Sequence, residues 1–96
     1  MKIVREDGLI FDSVEIWNLR ETVIKFLLPR LEEFRKMTMT YPEEFEEIEE
    51  WYAVLEEMIK GFKIVVSKDI ILSELDNVSV ERAYELFGKY FKHLWI

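Results

Sequence analysis

Apolar side chains recur at steps of three and four along three stretches of this 96-residue chain, the period that gathers them on one face of a helix. In the first stretch they are Leu19, Val23, Phe26, Leu27, Leu31 and Phe34, widened by Ile24 and Leu28. Asn18 suits the N-cap, and Glu21, three residues on, makes an approximate capping box. The pattern predicts a helix over 18–37. Pro29 lies inside it, where the ring removes one backbone hydrogen bond and crowds the carbonyl four residues back. Because the period runs on past it, a kink near 25–29 is expected rather than two helices.

The second stretch is the most regular: Phe45, Ile48, Tyr52, Leu55, Ile59, Phe62 and Val66, flanked by Trp51, Val54, Met58 and Val65. Thr40 reads as an N-cap, with Pro42 in the first turn and Glu43 as its box partner, so the predicted helix covers 41–66. Its apolar face is wide enough for one helix inside the chain and another outside it. Gly61 weakens that helix by about 1 kcal/mol relative to Ala and reads as a bend or an end. The third stretch, Val80, Ala83, Tyr84, Phe87, Phe91 and Leu94, predicts a helix over 79–95 capped by Ser79. "FKIVVSKDIILSELDN" between them is rich in β-branched residues and reads as helix to about Val66, then an irregular link to Asn77.

At the N-terminus, "KIVREDGLIFD" places apolar residues on both sides of Asp7-Gly8. Asp-Gly favours a two-residue type I′ hairpin turn, which needs φ > 0 at both central positions. A lone two-stranded hairpin is marginal, so it must lean on the helices or on a partner chain. The whole is predicted to be mainly α: one domain over 1–96, a three-helix bundle preceded by a short N-terminal β-hairpin.

Charge sharpens the picture. The net charge is −7, yet eight Glu and no Lys or Arg fall between Met37 and Ile59, leaving 13 basic and 12 acidic residues elsewhere. The acidity therefore belongs to one segment, which repels a nucleic-acid backbone, and direct nucleic-acid binding is not expected. No apolar run approaches the ~20 residues that span a bilayer. No leader-like start is visible in "MKIVREDG", and a soluble protein inside the cell is the expectation.

Candidate chemistry is sparse. With no Cys, disulfides, thiolate nucleophiles and Cys-based zinc or iron–sulfur sites are excluded. His93 is the only His, near a predicted helix end where a cation is favoured, so it reads as a capping residue. The Glu pairs lack the Glu-x-x-His spacing of di-iron bundles. There is no calcium loop and no glycine-rich phosphate loop. No enzyme, no metal and no cofactor is expected. Of three Trp, Trp51 sits on the main apolar face, whereas Trp17 precedes a helix and Trp95 lies at the chain end, which suits a subunit interface or a ligand platform.

Several stretches together, "EIWNLRETVIKFLLPRLEEFRK", "YPEEFEEIEEWYAVLEEMIKGF" and "LFGKYFKHLW", resemble a family of small tailed-bacteriophage proteins. The matching positions are Trp17, Asn18 and Leu19; Pro29, Arg30 and Leu31; Tyr41 and Pro42; Trp51, Leu55, Met58 and Ile59; and Leu86, Phe87, Lys89, Tyr90, Phe91, Leu94 and Trp95. The first 13 residues lie outside that pattern, and the link before the last helix is shorter and less acidic than in many members. The resemblance implies a phage origin and expression in the host cytoplasm. It implies no activity.

A small phage protein without an enzyme signature is expected to be a binder. The first reading is a counter-defence protein that sequesters a host nucleotide immune signal, using aromatic faces for bases and cations for phosphates. Trp17, Arg30, Lys89, Tyr90 and Trp95 are the candidate ligand-binding residues. The alternatives are an acidic inhibitor that blocks a host defence protein through its Glu-rich helix, and a virion or replication accessory protein. The three differ in what a structure would expose: a pocket lined by Arg30 and Lys89, a bare Glu face, or a large apolar patch. A homo-oligomer, at least a dimer, is expected because the second helix's apolar face exceeds what one neighbour covers.

Overall fold

A computed structural model describes residues 1–67 and 73–95. Strands β1 (Lys2–Val4) and β2 (Ile10–Asp12) form an antiparallel hairpin in the register Lys2↔Asp12, Ile3↔Phe11, Val4↔Ile10. The turn is not the expected two-residue one. Arg5 N–H donates to the Leu9 carbonyl at 2.8 Å and Gly8 N–H to the Arg5 carbonyl at 3.1 Å, so three residues, Glu6 to Gly8, form the loop. Only Gly8, at φ 90°, takes positive φ; Asp7 instead accepts a hydrogen bond from Leu9 N–H through Oδ1 at 3.1 Å. A type I turn followed by a left-handed glycine spares Asp7 the strained backbone that a type I′ turn would require.

One helical turn, α1 (Val14–Trp17), leads into α2 (Leu19–Met37). Asn18 caps α2 as expected: Oδ1 accepts from Glu21 N–H at 3.3 Å while Nδ2 donates to Glu21 Oε2 at 2.7 Å. The helix runs through Pro29 as one element. Immediately after its end, Thr38 is fully buried and ties the chain down: its N–H donates to Phe34 O, its hydroxyl to Thr40 O, and its carbonyl accepts from the Tyr52 hydroxyl.

Helix α3 (Ile48–Val66) starts seven residues later than the Thr40 box predicts. Glu47 is its N-cap and Glu50 closes the capping box. Residues 41–47 make turns instead, with Phe45 N–H donating to Pro42 O. The reason is Phe45, which packs on Trp51 and Tyr90 (ring centroids 6.1 and 5.6 Å apart). Turns bring that ring inward while Glu43, Glu44, Glu46 and Glu47 spread into solvent, where their mutual repulsion is screened.

Helix α4 (Glu74–Tyr90) starts five residues earlier than predicted, at the capping box of Ser73 with Asp76, so Ser79 is a mid-helix residue. A 3₁₀ turn, Phe91–His93, replaces the last turn of the predicted 79–95 helix. That change of pitch moves Phe91 out of the buried face, which consists of Val80, Ala83, Leu86 and Tyr90. The link expected between 67 and 77 falls partly on residues outside the described ones.

The chain is mainly α, with α3 at the centre. Trp51, Leu55, Met58 and Phe62 form its buried line, against Ile24, Leu28 and Leu31 of α2 on one side and Ala83, Leu86 and Tyr90 of α4 on the other. Gly61 is neither bend nor end: a Cβ there would lie 2.4 Å from Ala83 Cβ and 2.5 Å from Ser79 O, so it lets α3 and α4 cross closely. The wide face of α3 is thus covered from within the chain, and the reason first given for a dimer falls away. Among the described residues, α2 and α4 both pack on α3 and no Cα of α2 comes within 8 Å of one of α4, so the three helices form a bundle that is open on the side between α2 and α4.

Candidate functional site

The opening between α2 and α4 is an apolar groove of about 400 Å³. Leu19, Val23, Ile24 and Leu27 form one wall, Tyr84, Phe87 and Gly88 the other, and Phe62 of α3 the floor. Arg20 is the one charged residue in the lining. Phe62 and Phe87 meet edge to face at 5.7 Å, and Phe91 continues the row against Phe87 at 5.2 Å. Phe91 and Phe26 are each 63% exposed. The α2 stripe read as one buried face is therefore divided: Ile24, Leu28 and Leu31 enter the core, Leu19 and Val23 stay part-exposed in the groove wall, and Phe26 looks outward beside it. Carbon-lined concavity of this kind binds apolar surface. It offers no set of polar atoms to position a reacting group.

The five candidate ligand residues lie elsewhere, and none lines the groove. Trp17, at the end of α1, is 78% exposed, and Trp95, beyond the 3₁₀ turn, is 70% exposed. Arg30 folds back on its own helix: Nη1 donates to the Phe26 carbonyl at 2.8 Å and the guanidinium lies 3.8 Å from the Phe26 ring centroid. Lys89 makes a long, exposed ion pair with Glu44 at 3.8 Å and sits 5.2 Å from the Tyr90 ring centroid. Tyr90 is 3% exposed, its ring enclosed by Phe45 and Trp51 and edged by His93. Lys89 and Tyr90 are brought together, but Tyr90 is core and presents no face to a ligand.

A second hollow, bounded by Tyr41, Pro42, Glu43, Glu44 and His93, is polar and open. His93 lies there beside the α2–α3 turn, its ring 6.1 Å from that of Tyr90. The Glu block is partly neutralised from the flanking helices. Arg35 of α2 reaches Glu56 at 2.7 Å while lying over the Tyr52 ring, and Arg82 of α4 reaches Glu57 at 3.4 Å. These pairs are exposed and each adds little stability, but they spread the acidity of one segment over three helices. Glu21 is held below the usual carboxylate range by the hydrogen bond and charge of Lys25, 2.7 Å away.

No group of three or more His, Asp or Glu that could hold a metal ion occurs among the described residues. No described helix is long and apolar enough to cross a membrane. The groove was not foreseen from the residues, although two signals for it were present: an α2 stripe too wide for one neighbour, and Gly88 standing inside the apolar pattern of the last helix. Compared with protein-family models, with curated proteins and with solved structures, the chain matches none.

Proposed function

We propose that the chain is a non-enzymatic, phage-encoded protein that works in the host cytoplasm as a homo-oligomer, in the manner of an assembly or accessory protein. The observation that carries this reading is the opening between α2 and α4, an apolar groove that exposed Phe26 and Phe91 extend outward. A contiguous apolar surface of this extent marks a place where another protein packs. The phage origin rests on the sequence resemblance alone. Light scattering tests the oligomer: a particle of at least twice 11.7 kDa is expected, and a monomer across the accessible concentrations would overturn the reading.

Nucleotide sequestration stands as a second reading because of one observation, the exposed indole faces of Trp17 and Trp95. Within one chain the cations that would hold phosphates are engaged, Arg30 with Phe26 and Lys89 with Glu44. A trap therefore requires subunits to bring indoles and cations together. A nucleotide at ~100 times its dissociation constant adds ~2.7 kcal/mol, a rise in Tm on the order of 10–20 °C for a domain of this size. A rise confined to one cyclic or linear nucleotide would establish this reading, and a flat response across the panel would remove it. Blocking a host protein through the Glu segment is less well supported, since Arg35, Arg82 and Lys89 already answer part of that charge.

A further inference from the structure

Gly88 has no explanation inside its own chain. It sits in α4 with ordinary helical backbone, since Gly8 is the only positive-φ glycine among the described residues. A Cβ built on it would meet nothing within 4 Å. Gly61 supplies the contrast, because there a Cβ would collide with α4. Glycine inside a helix is unfavourable and is kept where another backbone must come close. At Gly88 that backbone has to arrive from outside the chain, through the groove that Gly88 lines.

The surface of the chain leaves room for a second copy. Its accessible surface is 7453 Å², whereas a compact monomer of this mass has about 5,900 Å². Its radius of gyration is 15.7 Å against about 12.5 Å for a compact domain of this length. The surplus, spread over the whole chain with its N-terminal hairpin, is roughly 1,500 Å², which leaves room for the ~800 Å² per partner that a stable interface buries. Leu19 and Val23 line the groove and Phe26 continues their row outward on α2 at helical spacing, so groove wall and exposed helix face form one apolar strip that a second copy's α2 can present in turn. Arg20 is the one charged residue of the groove and no Asp or Glu lines it, so the excess negative charge of each copy lies outside the surface where two would meet. Mutual insertion of one helix into the other's groove also satisfies the twofold symmetry of a closed dimer.

We propose that the groove between α2 and α4 receives α2 of a second copy, with the two backbones closest at Gly88. This deepens the homo-oligomer reading and rests on it. The test compares the wild-type chain with Gly88→Leu, whose Cβ has open space in the single chain and whose side chain grows from the groove wall. Sedimentation equilibrium of the wild type is expected to give a dimer or a multiple of it. Gly88→Leu is expected to raise the dissociation constant at least about thirtyfold with unchanged helicity by circular dichroism. Val23→Lys, on the opposite wall at a position already part-exposed, is expected to do the same and serves if Gly88→Leu loses helicity. Met39→Ser, at an exposed apolar position outside the groove lining, is expected to leave association unchanged. A wild-type oligomer that both groove variants leave intact would overturn the groove proposal while sparing the homo-oligomer reading. A monomeric wild type would overturn both.

Discussion

The same substitution should act in opposite directions at two glycines. Gly61→Ala places a methyl against Ala83 Cβ and the Ser79 carbonyl, so α3 and α4 must move apart. Overpacking of that kind costs about 1–3 kcal/mol. Gly88→Ala meets open space and should stabilise the isolated monomer by up to about 1 kcal/mol. Urea unfolding of dilute samples reads both, and equal losses at the two sites would contradict the roles given them. Glu21 makes a second test at this level. Its folded pKa is depressed by Lys25, so its contribution is present at and above the ordinary glutamate range. That contribution is lost as pH falls through the lowered folded value. NMR titration should place the Glu21 carboxyl below ordinary glutamate, moving back up in Lys25→Ala. A Glu21 midpoint that ignores Lys25 would refute the pairing. Such features depend on which side chain meets which, and sequence supplies only part of that. Asn18 and Glu21 could be read as a local pair, because a cap is made within one turn. The neighbours of Gly61 and the emptiness around Gly88 belong to packing between helices.

At the level of elements, the helix starts divide along the same line. The α2 start was legible in its cap. For α3, the residues Thr40, Pro42 and Glu43 form a sound local signal that tertiary packing overrides, because Phe45 reaches Trp51 and Tyr90 only if 41–47 stay non-helical. For α4 two serines compete, and Ser73 prevails because Asp76 stands at its N3 position, whereas Arg82 stands at the equivalent place after Ser79. Ser73→Ala should therefore cost about 1 kcal/mol, and Ser79→Ala should be close to neutral. Thermal unfolding of the two variants decides which serine is the cap, and a larger loss at Ser79 would restore the later start. Trp51 is wholly buried at the centre of the bundle, so Trp51→Ala should cost about 3–5 kcal/mol, enough to unfold a marginal domain. A folded Trp51→Ala of near-normal Tm would mean that the core lies elsewhere.

For the whole molecule, composition indicated a one-domain, mainly helical chain with a substantial core, and the apolar periods located three long helices. They could not show that α2 and α4 stand apart, since that depends on how each crosses α3 rather than on what either contains. Nor could they divide the α2 stripe between core, groove wall and surface, because inward and outward apolar residues share the same spacing. The candidate site suffered most. Trp17, Arg30, Lys89, Tyr90 and Trp95 were chosen by residue type, yet the fold buries one, ties two to neighbours and leaves two exposed. What the fold gathers instead is apolar surface: the groove, Phe26 beside it on α2, and Phe91 at the end of the row. A chain with this much open surface should not remain single in water. Sedimentation equilibrium of the wild-type chain, across about a hundredfold range of concentration, tests this most directly. Association to at least twice 11.7 kDa, falling toward the monomer only on dilution, is the result expected. A mass of 11.7 kDa at every concentration would contradict it.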